Sequence, residues 1–165
     1  MSADSGSAEL QERLTKIALI GIFTSLLAAF APGRRNRQPL DLSSLDFAML
    51  GLASFRVGRM TAYDAVTEPI REPFAETVED PSGAGMTTEA QGTGAQKVIG
   101  ELLTCPICVG TWAAAAMVYG LRVAPGPTRL FMSIMSAAGA TEVLSNAVDA
   151  LHWTAQVKRG QAGEQ

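Results

Sequence analysis

Histidine occurs once in this sequence, cysteine twice and aromatic residues at only 6%, and positive charge is not in excess. Each shortage removes a class of function. Thirteen Lys and Arg against sixteen Asp and Glu leave a net charge of −3, which gives no basic footprint for neutralising phosphates and argues against nucleic acid as a partner. His152 stands at the far end of an apolar segment with no nucleophile and base paired in sequence, which argues against a hydrolase or transferase. Gly83, Gly85, Gly92 and Gly94 lie in a polar stretch with no strand before them and make no phosphate-binding loop. Two cysteines cannot supply the several disulfide pairs that staple a secreted miniprotein.

What the chain has instead is apolar surface. Hydrophobic residues make up 47% of its 165 positions, more than one soluble domain of this size can cover, so the bilayer is the natural solvent. Four segments carry this surface. Ile17–Ala31 is uncharged and flanked by Lys16 and by Arg34, Arg35 and Arg37, cations suited to phosphate headgroups. At about 1.5 Å per residue it falls short of a roughly 30 Å hydrocarbon core, so its flanks must help it span. Ala29-Phe30-Ala31 leaves a cleaved signal peptide as the alternative to a retained helix. A second helix is expected over Leu40–Tyr63. The third, Leu102–Leu121, has 20 uncharged residues, the length that crosses hydrocarbon. The fourth runs from Leu130 to about Leu151, with Trp153 at headgroup level.

The expected fold class is therefore all-α, an integral membrane bundle of about four transmembrane helices. Its domains read as a polar N-terminal tail over 1–16, a transmembrane helix with an Arg-rich connection over 17–38, a membrane domain over 39–157 and a polar tail over 158–165. Within the third of these, Ala75–Gln96 is rich in Gly, Ser, Thr and acid and is expected to be a flexible loop. Eight cations fall on the side of the termini and central loop and five in the short loops, a balance that leans toward both termini inside.

Two constellations could carry chemistry. Thr104-Cys105-Pro106-Ile107-Cys108 puts two thiols at the start of the third helix, where the partial positive charge of the helix end favours thiolate. Inert packing, thiol redox or disulfide chemistry, and zinc or iron binding are all open to such a pair. A metal would need further ligands, from a second copy or from Glu101. Arg56 and Arg59, three residues apart, share a helical face and must reach headgroups, water or an acid among Asp64, Glu68, Glu101 and Glu142. Glu142 heads a polar stripe with Ser145, Asn146 and Asp149 on the fourth helix. This is either an anion, headgroup or transport site or, on the favoured reading, a structural ion-pair network. Gly110 and Ala114, then Ala116 and Gly120, are spaced for close helix packing.

Three blocks in order, Ala53-Ser54-Phe55-Arg56-Val57-Gly58-Arg59, Tyr63–Phe74 (YDAVTEPIREPF) and Gly100–Trp112 (GELLTCPICVGTW), resemble a bacterial membrane family known as domain of unknown function 1360, seen also among sporulation-associated proteins. The resemblance spans roughly Leu45–Leu151 and leaves the helix over Ile17–Ala31 as an extra element. In that family the position of Ile107 is often Trp. The resemblance implies a multi-pass protein of the bacterial cell membrane, with the Arg pair near the Cys pair and no established activity.

The expected function is thus a non-enzymatic accessory or scaffold protein, in which Arg56, Arg59, Asp64, Arg71, Glu101 and Glu142 form a polar cluster beside Cys105 and Cys108. Its partners are the lipid bilayer and a second copy or another membrane protein, and no cofactor is expected, with zinc or iron as the exception. The alternatives are a thiol redox or metal-binding membrane protein and a small transporter or channel.

Overall fold

The structure, a computed structural model, describes residues 2–30, 41–80, 82 and 85–163. Ala31, the Arg-rich connection over 32–37 and Leu40 lie outside the described residues. The first helix, α1 (Ser2–Phe30), starts well before the apolar run, because Glu9, Leu10, Gln11, Glu12, Arg13 and Leu14 are good helix formers and the polar tail expected over 1–16 joins it. Ser43 then starts α2 (Ser44–Tyr63) with a capping box: the Asp46 amide donates to the Ser43 hydroxyl at 3.1 Å and the Ser43 amide to the Asp46 carboxylate at 3.2 Å.

A 3-10 turn (Ala65–Thr67) and the short α3 (Glu68–Arg71) lead into two strands, β1 (Ala75–Glu79) and β2 (Met86–Ala90). They pair antiparallel, Ala75 opposite Ala90 and Glu79 opposite Met86. The segment expected to be a flexible loop thus contains a hairpin. Thr77, Val78, Thr87 and Thr88 supply β-branched side chains that outweigh its polar composition. The hairpin is tied down: the Thr88 hydroxyl donates to the Ala62 carbonyl at 3.1 Å and the Gln91 amide to that of Phe74 at 2.9 Å.

The expected span over Leu102–Leu121 is interrupted. Helix α4 (Ala95–Thr104) ends at Cys105, whose backbone is extended (φ −97°, ψ 101°), and α5 (Pro106–Val123) begins at the next residue. Proline lacks an amide hydrogen and disfavours helical backbone in the residue before it, so Pro106 ends one helix and opens another. Helix α6 (Pro125–Gly163) is 39 residues long and runs through the expected tail, and side chains 143–157 are all exposed.

Contacts along the helices fix their directions. Gly58 meets Pro106 and Gly110 meets Ser54, so α5 runs antiparallel to α2. Asp46 pairs with Arg129 at one end and Arg59 with Glu142 at the other, so α6 runs parallel to α2. Lys16 pairs with Glu101 at 3.0 Å and Phe23 lies edge-on to Trp112 with ring centres 4.9 Å apart, so α1 runs with α5. The four long helices alternate down and up.

The core between α2, α5 and α6 is small: Leu50, Ala53, Met117, Leu121 and Met132. Close approach at the crossings depends on glycine, since a methyl at Gly58 would collide with the Pro106 carbonyl oxygen, and one at Gly139 would come 2.6 Å from that of Leu52. The fold is mostly helical, in agreement with the all-α expectation apart from the hairpin. Among the described residues one helix, α5, is long and apolar enough to cross a membrane by length and composition. The four-span bundle is therefore not established by the helices themselves: α2 carries three charged residues, the uncharged run of α1 begins only after Lys16 and is shorter than a span, and Glu142 and Asp149 interrupt the apolar run of α6.

Candidate functional site

The site is built where the upper end of α2 meets α6. Arg56 and Arg59 are one turn apart on α2 and both reach Glu142 of α6. Arg56 donates through Nη1 to Glu142 Oε2 at 3.2 Å and through Nη2 to Asp64 Oδ2 at 2.5 Å. Arg59 donates through Nε to Glu142 Oε1. Asp64 reaches Arg56 from eight residues on because α2 ends at Tyr63 and the extended backbone of Asp64 (φ −73°, ψ 142°) turns the carboxylate back. Two positive and two negative groups cancel. The Arg59 guanidinium also lies 5.9 Å from the centre of the Phe55 ring and 5.3 Å from that of Tyr63, each one turn away along the helix, an arrangement that favours cation–π attraction.

Arg71 belongs to a second layer. It is buried, and its Nη1 donates to the carbonyl oxygens of Thr61 at 3.1 Å and Asp64 at 3.4 Å and to the Thr67 hydroxyl at 3.4 Å. Thr67 donates in turn toward the Met60 carbonyl at 2.6 Å and the Asp64 carbonyl at 2.9 Å. Together they satisfy carbonyls that the end of α2 leaves without helical partners. Arg71 therefore holds the backbone of the residue whose carboxylate holds Arg56. Glu101 stands apart, paired with Lys16 of α1, while Lys97 and Glu12 make a second, looser link between the same helices at 3.7 Å.

Cys105 and Cys108 are bonded to each other through sulfur, with Cα atoms 5.3 Å apart. The Cys108 amide hydrogen points at Cys105 Sγ, with nitrogen and sulfur 3.3 Å apart, so a cysteine sulfur takes the position of an N-cap acceptor. Among the described residues no group of three His, Cys, Asp or Glu comes together to hold a metal. His152 lies on the exposed arm of α6, away from the cysteines in sequence and unpaired with them. A groove of about 400 Å³ runs between α2 and α5 beside the turn, lined by Phe55, Arg59, Pro106, Ile107, Thr111 and Ala114 among others. Arg59 thus lines the same groove as Pro106 and Ile107, the two residues between the cysteines.

Of the expected polar cluster, then, Arg56, Arg59, Asp64 and Glu142 meet directly, Arg71 joins through the Asp64 backbone, and Glu101 goes to α1. Sequence reasoning gave no role to Thr67 or Gly58. The signal for Thr67 was a hydroxyl just past a helix end and four residues before an arginine; for Gly58, a residue without a side chain between two arginines on a helix that must pack closely. Phe55, Arg59 and Tyr63 at four-residue intervals could have been read as an aromatic sandwich.

No solved structure matches the chain. It is 29% identical over 110 residues to the sporulation protein YjcA of Bacillus subtilis (strain 168), covering 65% of this chain and 93% of that relative. It is 33% identical over 107 residues to the UPF0713 protein YngL of the same organism, covering 65% of this chain and 81% of YngL. Residues 49–148 match the family described as "Protein of unknown function (DUF1360)", and they include the Arg pair, Asp64, Arg71, the cysteine turn and Glu142. On that match the chain belongs to the DUF1360 family.

Proposed function

We propose that this protein is a multi-pass protein of the bacterial cell membrane, crossing it with α1, α2, α5 and α6, and that it serves as a non-enzymatic accessory or scaffold. The observation that carries the reading is where the large apolar side chains point. Phe47 on α2, Val123 on α5 and Leu130, Phe131 and Ile134 on α6 are all exposed, and so are Ile17, Ile20, Ile22 and Leu27 on α1. Large apolar side chains exposed on every long helix need a covering solvent, and lipid supplies it. Inside, the helices meet through glycine and alanine, as membrane helices do. The ion-pair cluster is neutral within itself, which suits a structural part and offers no free base or nucleophile. In this arrangement the termini, the hairpin and α4 share one side of the membrane, and Arg56, Arg59, Asp64 and Arg71 order the segment that leads to the hairpin, while Glu101 ties α4 to α1 through Lys16. A role in sporulation is the setting that the relative's name suggests.

The test is topology mapping with single cysteines placed in a Cys105→Ser, Cys108→Ser background and labelled by an impermeant maleimide in intact cells. Asp41→Cys and Ala124→Cys should label from one side, and Glu9→Cys and Ser82→Cys from the other. Labelling of Ala124→Cys and Ser82→Cys from the same side sinks the reading.

A second reading, thiol redox chemistry, is favoured by the bond between Cys105 and Cys108 at the N-terminus of α5. Native mass spectrometry of the detergent-purified protein separates the cases in one spectrum. A mass two hydrogens short supports the disulfide; a dimer carrying zinc or iron would instead make the four sulfurs ligands.

A further inference from the structure

Resting on the thiol reading, we propose that the Cys105–Cys108 disulfide oxidises protein dithiols, which dock as extended apolar segments along the groove between α2 and α5. Three observations meet here. The disulfide joins the break between two helices, at Cys105, to the first turn of α5, at Cys108. Cys105 Sγ receives the Cys108 amide hydrogen at the N-terminus of an 18-residue helix, which stabilises negative charge on that sulfur. Ile107, between the two cysteines, is 81% exposed and forms one wall of the groove with Pro106, opposite Phe55 and Arg59. An exposed isoleucine beside a half-buried disulfide offers an apolar contact where a partner chain must lie to react.

The exchange balances without any further reagent. A thiolate of the partner attacks Cys108 Sγ, the Cys105–Cys108 bond breaks, and its electron pair leaves on Cys105, the sulfur best placed to carry it. The partner's second thiolate then attacks its own sulfur in the mixed disulfide, and Cys108 departs with the second electron pair. Two electrons pass from the partner to this protein. The two protons the partner gives up end on Cys105 and Cys108, and the partner keeps a new disulfide.

The test uses the full chain, oxidised, in detergent micelles with two reduced synthetic peptides, each with two cysteines, one set flanked by leucines and the other by glycines. Mass spectrometry should show one peptide disulfide formed per protein disulfide lost. The leucine peptide should react at least about fivefold faster, the value of roughly one buried apolar contact, and Ile107→Ser should remove that preference. In the Cys108→Ser variant, alkylation of the lone Cys105 by iodoacetamide should show a pH midpoint below the roughly 8.5 of a free cysteine. Peptides that stay reduced beside an intact protein disulfide overturn this inference and leave the thiol reading standing. A protein that leaves the membrane with both thiols free overturns the thiol reading itself. Equal rates for the two peptides overturn the groove as the docking site, and a midpoint at or above that of free cysteine overturns Cys105 as the leaving sulfur.

Discussion

Replacing Glu142 by Gln keeps the side chain's shape and removes the one charge that both arginines share. Arg56 retains Asp64, but Arg59 loses its one carboxylate partner among the described residues. Two unit charges about 4 Å apart attract by about 4 kcal/mol at an effective dielectric of 20. The Arg59 side chain is 38% exposed, so screening reduces its pair with Glu142 to about 1 kcal/mol. Arg56 and Glu142 are each 22% exposed, and their pair keeps more. Gln relieves the cost of burying a carboxylate, which offsets part of both losses. A net loss of about 2 kcal/mol remains, worth a fall in melting temperature of roughly 4–8 °C for a chain of this length. The assay is thermal unfolding in detergent followed by tryptophan fluorescence, with Arg59→Met and the double variant completing a cycle. A coupling of about 1 kcal/mol between positions 59 and 142 is expected. Glu142→Gln melting within about 1 °C of the parent, or a coupling under about 0.3 kcal/mol, would refute the claim that this network holds α6 to α2.

Gly58→Ala should cost about 1–3 kcal/mol through the collision with the Pro106 carbonyl, whereas Gly51→Ala, with open space around it, should be neutral or stabilising; the same melting assay separates them. Arg71→Met removes a buried charged donor from the Thr61 and Asp64 carbonyls, which keep only their bonds from Thr67, and should cost about 1–3 kcal/mol, with faster amide hydrogen exchange over 75–90 as its local sign. The hydroxyl and amide of Ser82 hold the Asp80 carboxyl below its ordinary value. Because the folded value is depressed, the turn's stabilisation is complete above the ordinary carboxylate range and is lost as pH falls through the depressed value. An NMR titration should show the Asp80 midpoint rising in Ser82→Ala, and an unchanged midpoint would remove Ser82 as the cause.

How far the sequence could be read depended on the range of the interactions. Each long helix was legible from its apolar run, and the need to neutralise guanidiniums on an apolar helix narrowed the partners of Arg56 and Arg59 to Asp64, Glu68, Glu101 and Glu142, of which the fold brings Asp64 and Glu142 to them. Boundaries were not, because they depend on local chemistry that hydropathy averages away: Pro106 cut a span that reads as continuous, and helix-forming polar residues carried α1 and α6 far past their apolar cores. The hairpin was hidden for a different reason. Its strands are short and polar, and their order comes from docking on Ala62, Phe74 and α4, which no local pattern reports. Glu101 went to Lys16 because α1, an element outside the family match, lies along α4.

Under the membrane reading proposed above, the spacing of charges bears on which role is physically open. One ion pair, Asp46 with Arg129 at 3.5 Å, sits near the start of α2, and the Arg56, Arg59, Asp64 and Glu142 cluster sits near its end. Ten residues on α2 and thirteen on α6 separate the two layers, about 15 and 20 Å of helix rise. A bilayer core is about 30 Å thick, so both layers cannot lie at headgroup level on opposite faces without local thinning of the bilayer. A charge layer held within hydrocarbon must be neutral in itself, because no lipid phosphate reaches it, and this cluster is neutral. Between the layers the three helices meet on Leu50, Ala53, Met117 and Met132, the last wholly buried, with no charged side chain among them. A solute passing from one layer to the other through the bundle would have to cross that apolar plug. The same charges that suggest a polar path when read along one helix thus act, once the helices are packed, as two clasps on either side of a dry core.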